Sequence, residues 1–470
     1  MTNIKKGMNR DLFETFGANV FLIALGGLTS VFLARVLGPE MRGELAIILL
    51  WSGILSTLAS LGINESLGYF VGIKRSGKWK YLYTSLIVSA LTGLVLFVPC
   101  VFSVPLLMRD YSKRIIDLGM LSVGFCSLVV PQVMLAQSFL QGSGRIRQLN
   151  LINLFNTSLY FLLILFIWML FTRGHHDISL TVGAYIGSFS ITILVLYALL
   201  SYLRRNEYGE SKNEFNHFDY LAGKNFIRYG ASITIANLVN QASIKLDQIF
   251  LSFLVSPALI GFYAVALATS AGISVTALTI STIALPRITN ASKLEERKNV
   301  IRNLFLSYYL SSIPIFILTF ATLPFFIPLL FGCAFDESIN ASRIFLVGSI
   351  FVGANQLGVA IFKAVGLPKY AIISRALTLS LLAFCLSLLV PKYNIVGAAW
   401  AVVISNSITS LFTITYIAKT NGTKLSHIIF PKREDLKALK EGILKYHFKN
   451  SIRLRFYASI TEKYPLDGKP

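Results

Sequence analysis

The sequence predicts an all-α polytopic membrane protein, with twelve transmembrane helices in two parallel six-helix repeats. Three observations carry this. Hydrophobic residues make up 54% of the 470 and charged residues only 14%, with a mean hydropathy of +0.66; soluble domains carry roughly 25% charge. Twelve apolar runs reach the ~20 residues that span a bilayer as helix. Short motifs also recur in order. Pro39, Gly43 and Ala46 return as Pro257, Gly261 and Ala264, Gly144-Arg-Ile-Arg147 as Gly366-Leu-Pro-Lys369, and Val182-Gly-Ala184 as Val396-Gly-Ala398, at offsets of 218, 222 and 214 residues.

The apolar runs lie near 13–36, 44–72, 80–107, 114–141, 149–172, 178–203, 226–255, 258–285, 302–331, 338–363, 368–390 and 395–418. Residues 1–12 are too polar and basic for the apolar region of a cleaved signal, so the first run is expected to remain as a span. Six spans per half is an even number, so both halves begin on the same face. The repeats are then parallel and related by an axis along the membrane normal, as in duplicated transporters with a pathway between their halves. Pro39 and Pro257 follow their spans, where proline ends a helix at little cost. Gly43 and Gly261 open the following spans and permit close packing.

This divides the chain into a first bundle (1–203), a polar linker (204–223), a second bundle (224–418) and a basic tail (419–470). The tail holds 12 Lys/Arg against 5 Asp/Glu. Its segment 434–460 reads either as an amphipathic helix on anionic lipid or as a solvated tail.

The net charge of +21 is distributed by membrane side, which argues against nucleic acid as its partner. Loops on the N-terminal side carry 20 Lys/Arg and the opposite loops carry 6, with Arg42 counted among the six. This excess places both termini in the cytoplasm. Cys100, Cys126, Cys333 and Cys385 lie in or beside apolar runs and show no disulfide framework, and the five histidines lack metal-ligand spacing. No nucleotide-binding P-loop is present, so ATP is not expected to drive this chain directly. The opposite loops are too short for an outer catalytic domain, which weighs against a membrane glycosyltransferase or glycan polymerase.

Ionisable groups inside spans are costly and usually face a cavity or a partner. In the seventh span Asn237, Asn240, Gln241, Lys245, Asp247 and Gln248 fall on an arc of about 160° of a helical wheel. Lys245 and Asp247 stand at its opposite edges and are not expected to pair. Such a stripe suits an aqueous path or, alternatively, hydrogen bonding between helices. Arg35, Arg228, Arg343 and Arg375 are further candidate cavity cations, and Glu65 is a candidate to neutralise one of them. Arg35, Arg228 and Arg343 lie near span ends, where they could also snorkel to headgroups.

The motifs resemble those of the polysaccharide-transporter, or Wzx-type oligosaccharide flippase, branch of the MOP superfamily. The resemblance rests on three segments: Arg35 to Ala46; Leu246, Asp247, Leu251, Pro257, Gly261 and Tyr263, followed by Leu285-Pro-Arg287; and Gly366 to Tyr370 with Leu389 to Ala399. It covers roughly residues 10–418. It implies a V-shaped MATE-like bundle that moves a polyprenyl-diphosphate-linked oligosaccharide, for O-antigen, capsule or exopolysaccharide, from the inner to the outer leaflet of a bacterial inner membrane. The nearest rival is a MATE-like cation-coupled multidrug exporter, which would want acidic or aromatic cavity walls. Arginine suits a diphosphate because its planar fork binds two oxygens. The implied partners are the lipid-linked glycan and membrane lipids, with a glycan polymerase and chain-length proteins as further candidates. No resident cofactor is implied. The coupling ion would be Na+ or H+, with Asp247 as the central carboxylate and Thr378, Ser405 and Asn406 as further oxygen donors.

Overall fold

The computed structural model describes residues 2–73, 77–170, 177–208, 220–289, 291 and 294–422. Most of the 204–223 linker and nearly all of the 419–470 tail lie outside these residues. So do the side chains of 2–16 and of several α7 positions, Asn237 and Asn240 among them.

The helices are α1 (Thr2–Ala59), α2 (Ile63–Ile73), α3 (Lys78–Leu107), α4 (Lys113–Gly142), α5 (Ile146–Leu170), α6 (Ile178–Tyr208), α7 (Tyr220–Leu254), α8 (Pro257–Thr269), α9 (Ala271–Thr289), α10 (Leu294–Phe331), α11 (Ser338–Ala364) and α12 (Pro368–Thr420). Among the described residues nine helices are long and apolar enough to cross a membrane. Two of these are double crossings. The 43 residues Gly17–Ala59 and the 53 of α12 each extend about twice the ~30 Å of a hydrocarbon core. Non-helical backbone divides them, at Gly38 (φ 70°) in α1 and at Asn394 (φ 49°) in α12. A β-carbon on Gly397 would overlap the Leu389 carbonyl, so the chain doubles back across the Asn394 break. With α7, these helices are consistent with twelve crossings.

The second and eighth crossings are each broken. Leu61 and Gly62 adopt positive φ between α1 and α2, and Ser270 separates α8 from α9. Both spans are thus interrupted, but at different places: Leu61 lies 22 residues after Pro39 and Ser270 only 13 after Pro257.

The two ends of the bundle are packed differently. At the end holding Gly38 and the α10–α11 connection, one hydrophobic core joins both halves, with Leu33, Trp51 and Cys100 in the same cluster as Leu251, Tyr263 and Phe345. At the other end the packing is divided between two separate cores. Ile63, Trp79, Phe139 and Leu200 form one, and Ala277, Tyr308, Phe362 and Ile414 form the other. The halves are thus legs of a V joined at one face. The open end carries the basic loops and is called the basic face below. There Glu207 accepts from Lys78 Nζ at 2.8 Å and from Trp79 Nε1 at 2.9 Å, and pairs with Arg145.

At the closed face, Tyr111 donates to the Ser252 carbonyl across the halves at 2.8 Å. Asp177 caps α6 by accepting from the Ser179 amide at 3.0 Å and pairs with Arg114. The Ser179 backbone bond, helped by Arg114, holds the Asp177 carboxyl below its ordinary range.

The first part of α7 crosses the divide at the basic face. Ala222 and Phe226 belong to the core of the first half. A β-carbon on Gly62 would sit 2.6 Å from the Gly230 carbonyl oxygen, and Ser66 Oγ donates to the Phe226 carbonyl at 3.3 Å. Small residues permit this backbone approach.

Candidate functional site

Beneath the shared core lies a cavity of about 430 Å³ between α1 of the first half and α7 and α8 of the second. Its polar lining is Ser30, Arg42, Gln241, Lys245 and Gln248, and Ala46, Leu49, Gly53, Ala264 and Leu267 supply apolar wall. Among the described lining residues there are two cations and no carboxylate. Lys245 Nζ reaches Gln248 Oε1 at 3.4 Å, while Arg42 Nε is buried with no hydrogen-bond partner.

Arg42 is the residue that sequence reading missed. Counted as a loop cation because it follows Pro39, it is already helical. Positions 42, 46, 49, 50 and 53 recur at helical spacing and all line the cavity. That periodicity was the available signal. At the 218-residue offset the second half carries Ile260, so the duplication leaves this cation on one side only.

The stripe of α7 does face the cavity through Gln241, Lys245 and Gln248. Asp247 points elsewhere. It is 5% exposed, and its carboxylate accepts from the Gln248 amide at 2.8 Å and from the Tyr263 hydroxyl at 2.5 Å. A crevice of about 30 Å³ lined by Gln248, Ile260 and Tyr263 adjoins this pair, and it shares Ala46, Leu50, Ala264 and Leu267 with the main cavity. Lys245 and Asp247 are not hydrogen-bonded to each other.

The other expected donors do not join Asp247. Thr378 accepts from Asn355 Nδ2 at 3.1 Å, in a buried network where Ser374 bonds Asn355 at 2.9 Å and Thr413 at 2.9 Å. This network ties α11 to both arms of α12. Ser405 donates to the Ala401 carbonyl at 2.7 Å and Asn406 to the Val402 carbonyl at 3.0 Å, bonds along their own helix. The four residues therefore do not fit the closed oxygen shell that sodium needs in this conformation.

The remaining candidate arginines are scattered and do not line the main cavity. Arg35 bonds the Leu330 carbonyl at 2.6 Å and the Leu329 carbonyl, capping the C-terminus of α10 from the opposite half. The guanidinium of Arg343 lies 5.6 Å from the centroid of the Phe320 ring on α10. Arg228 lines a separate groove between α3 and α7. Arg375 is half-buried on α12 beside Ser374 and does not line the main cavity, nor does Glu65, which opens α2.

Residues 10–292 match the family described as "Polysaccharide biosynthesis protein". The chain is 22% identical over 401 residues to the "Putative O-antigen transporter" of Shigella flexneri, a match covering 82% of this chain and 93% of that one. Among solved structures it is similar to "Lipid II flippase MurJ, inward closed conformation", with a TM-score of 0.70, 17% identity, and coverage of 94% of this chain and 99% of that one. It is also similar to an inward-facing multidrug resistance MATE family transporter of the MOP superfamily, with a TM-score of 0.65, 14% identity, and coverage of 85% and 94%. These structural likenesses establish the fold.

Proposed function

The chain belongs to the polysaccharide biosynthesis protein family, and from that premise we propose that it is a flippase for a polyprenyl-diphosphate-linked oligosaccharide. The observation that carries the reading is the cavity between the halves, lined by Arg42 and Lys245 with no described carboxylate. A cationic chamber suits an anionic headgroup. A cavity for cationic drugs would want the reverse polarity.

The basic face is the cytoplasmic one, by the excess of Lys/Arg in its loops. The V then opens toward the side where the lipid-linked glycan is made, and the shared core closes the outer side. Arg42 meets the diphosphate with a bidentate fork, and Lys245 meets it as a point charge. Gln241 and Gln248 have amides of both polarities for sugar hydroxyls. Release needs the opposite packing, with the shared outer core parted and the two inner cores brought together. The coupling ion is a proton carried by Asp247, whose crevice adjoins the cavity. A glycan polymerase and chain-length proteins would receive the product.

Purified protein in liposomes should move a polyprenyl-diphosphate oligosaccharide between leaflets without ATP. Efflux of a cationic dye with no movement of the lipid-linked glycan would overturn the assignment.

A further inference from the structure

We propose that the groove between α3 and α7 is a docking site where the diphosphate and adjoining isoprene units of the cargo lipid leave the inner leaflet before reaching the central cavity. This rests on the flippase reading above. The groove encloses about 390 Å³ and is walled by Val88, Leu91 and Ile227, with Lys224 and Arg228 at its α7 side. Leu91 is 57% and Ile227 45% exposed, so these walls face lipid. Lys224 and Arg228 are one helical turn apart and share a face, and both are exposed. Apolar walls with two neighbouring cations match one class of ligand, an anionic headgroup on a hydrocarbon chain.

The course of α7 favours the cargo over bulk phospholipid. Arg228 lies eight residues into α7, roughly 12 Å along it, and Val88 lies about 15 Å along α3 from Lys78. A bulk phospholipid keeps its phosphate at headgroup level. Lys224 and Arg228, about one and two turns into α7, can hold such a headgroup where the helix begins. The same helix then leads onward, since α7 also presents Gln241, Lys245 and Gln248 to the central cavity. One helix lines both places, the groove near its start and the cavity near its end.

The test places a photo-crosslinking phenylalanine analogue at Leu91 in the full chain. The protein is reconstituted in nanodiscs of phosphatidylethanolamine and phosphatidylglycerol, with a long-chain polyprenyl diphosphate lacking sugar as the probe. A cross-link to the probe is expected that the corresponding polyprenol does not compete away. Its yield should fall about tenfold, the loss of a charge-assisted contact, in a Lys224→Gln/Arg228→Gln double variant. Lys224→Arg with Arg228→Lys should restore it. Arg42→Ala should leave it intact, because that cation lies in the other cavity. An undiminished yield in the double variant overturns the proposal, as does equal cross-linking of phosphatidylglycerol. If wild-type protein flips glycan but shows no cross-link, the groove alone is refuted. If it cross-links the probe but flips no glycan, the groove stands and the transport reading falls.

Discussion

Gly43 and Gly261 pack against each other's turns across the two halves. A β-carbon on Gly43 would overlap the Pro257 carbonyl and approach the Gly261 amide nitrogen at 2.9 Å, and one on Gly261 would overlap the Pro39 carbonyl. The repeated motif is thus reciprocal in space as well as in sequence. Each Pro-x3-Gly segment supplies the proline carbonyl that the other segment's glycine accommodates, so backbones of opposite halves touch at the closed face.

Gly43→Ala and Gly261→Ala should therefore lower the melting temperature by similar amounts. The neighbour in each case is backbone, which cannot rotate aside, so the cost should reach or exceed the roughly 1–3 kcal/mol of ordinary overpacking. Gly26→Ala is the control, since nothing lies within 4 Å of a β-carbon there. Thermal unfolding of the three variants in detergent checks this. A Gly43→Ala protein as stable as the Gly26→Ala one would show that the closed-face contact is looser than described.

Arg42→Ala should reduce glycan flipping by about tenfold or more, the scale of a lost hydrogen bond to a charged group. Arg42→Lys should keep part of the activity, since it retains charge but loses the fork. Lys245→Gln should fall between. Flipping rates in liposomes at matched protein content decide it. Wild-type flipping by Arg42→Ala would mean that the cargo's charge is met elsewhere, with Arg375 the next residue to test.

Reporter fusions test the sidedness on which the inward opening rests. Fusions after residues 210 and 425 should both read cytoplasmic, and one after residue 173 should read external. Opposite readings at 210 and 425 would break the parallel duplication.

The spans, the duplication and the polar face of α7 were legible because each leaves a periodic trace in the chain. Pro39 and Pro257 even marked the meeting point of the halves, although nothing in sequence says that Gly43 would find Pro257 rather than a neighbour of its own half. The arginines were harder to read. Arg35 and Arg343 read alike as intramembrane cations, and Arg42 reads as a loop cation. Only tertiary packing sends the first to the α10 carbonyls, the second to Phe320 and the third to the cavity. Thr378, Ser405 and Asn406 bond elsewhere than to Asp247 for a related reason. Small polar side chains in apolar helices satisfy themselves on nearby backbone or on one another, and sequence does not reveal which they choose.

The coupling prediction concerns Asp247 and Tyr263. An ion drives a conformational switch only by binding one state better than the other. The Asp247 carboxylate is buried between α7 and α8, at the seam of the halves, and its Tyr263 bond is made within the second half. A proton that neutralises it removes a buried charge and weakens its hold on the tyrosine hydroxyl. Movement of α8 against α1 would then be biased through the Gly43–Pro257 contact, where backbone meets backbone. Asp247→Asn keeps the size and mimics the neutral form, so it should fold and flip glycan without responding to an imposed proton gradient. Tyr263→Phe keeps the carboxylate but removes its hydroxyl donor, so the response to the proton gradient should persist. Neither variant should acquire sodium dependence. Equal responses of wild type and Asp247→Asn to a proton gradient would remove Asp247 from coupling and leave it as a structural partner of Tyr263.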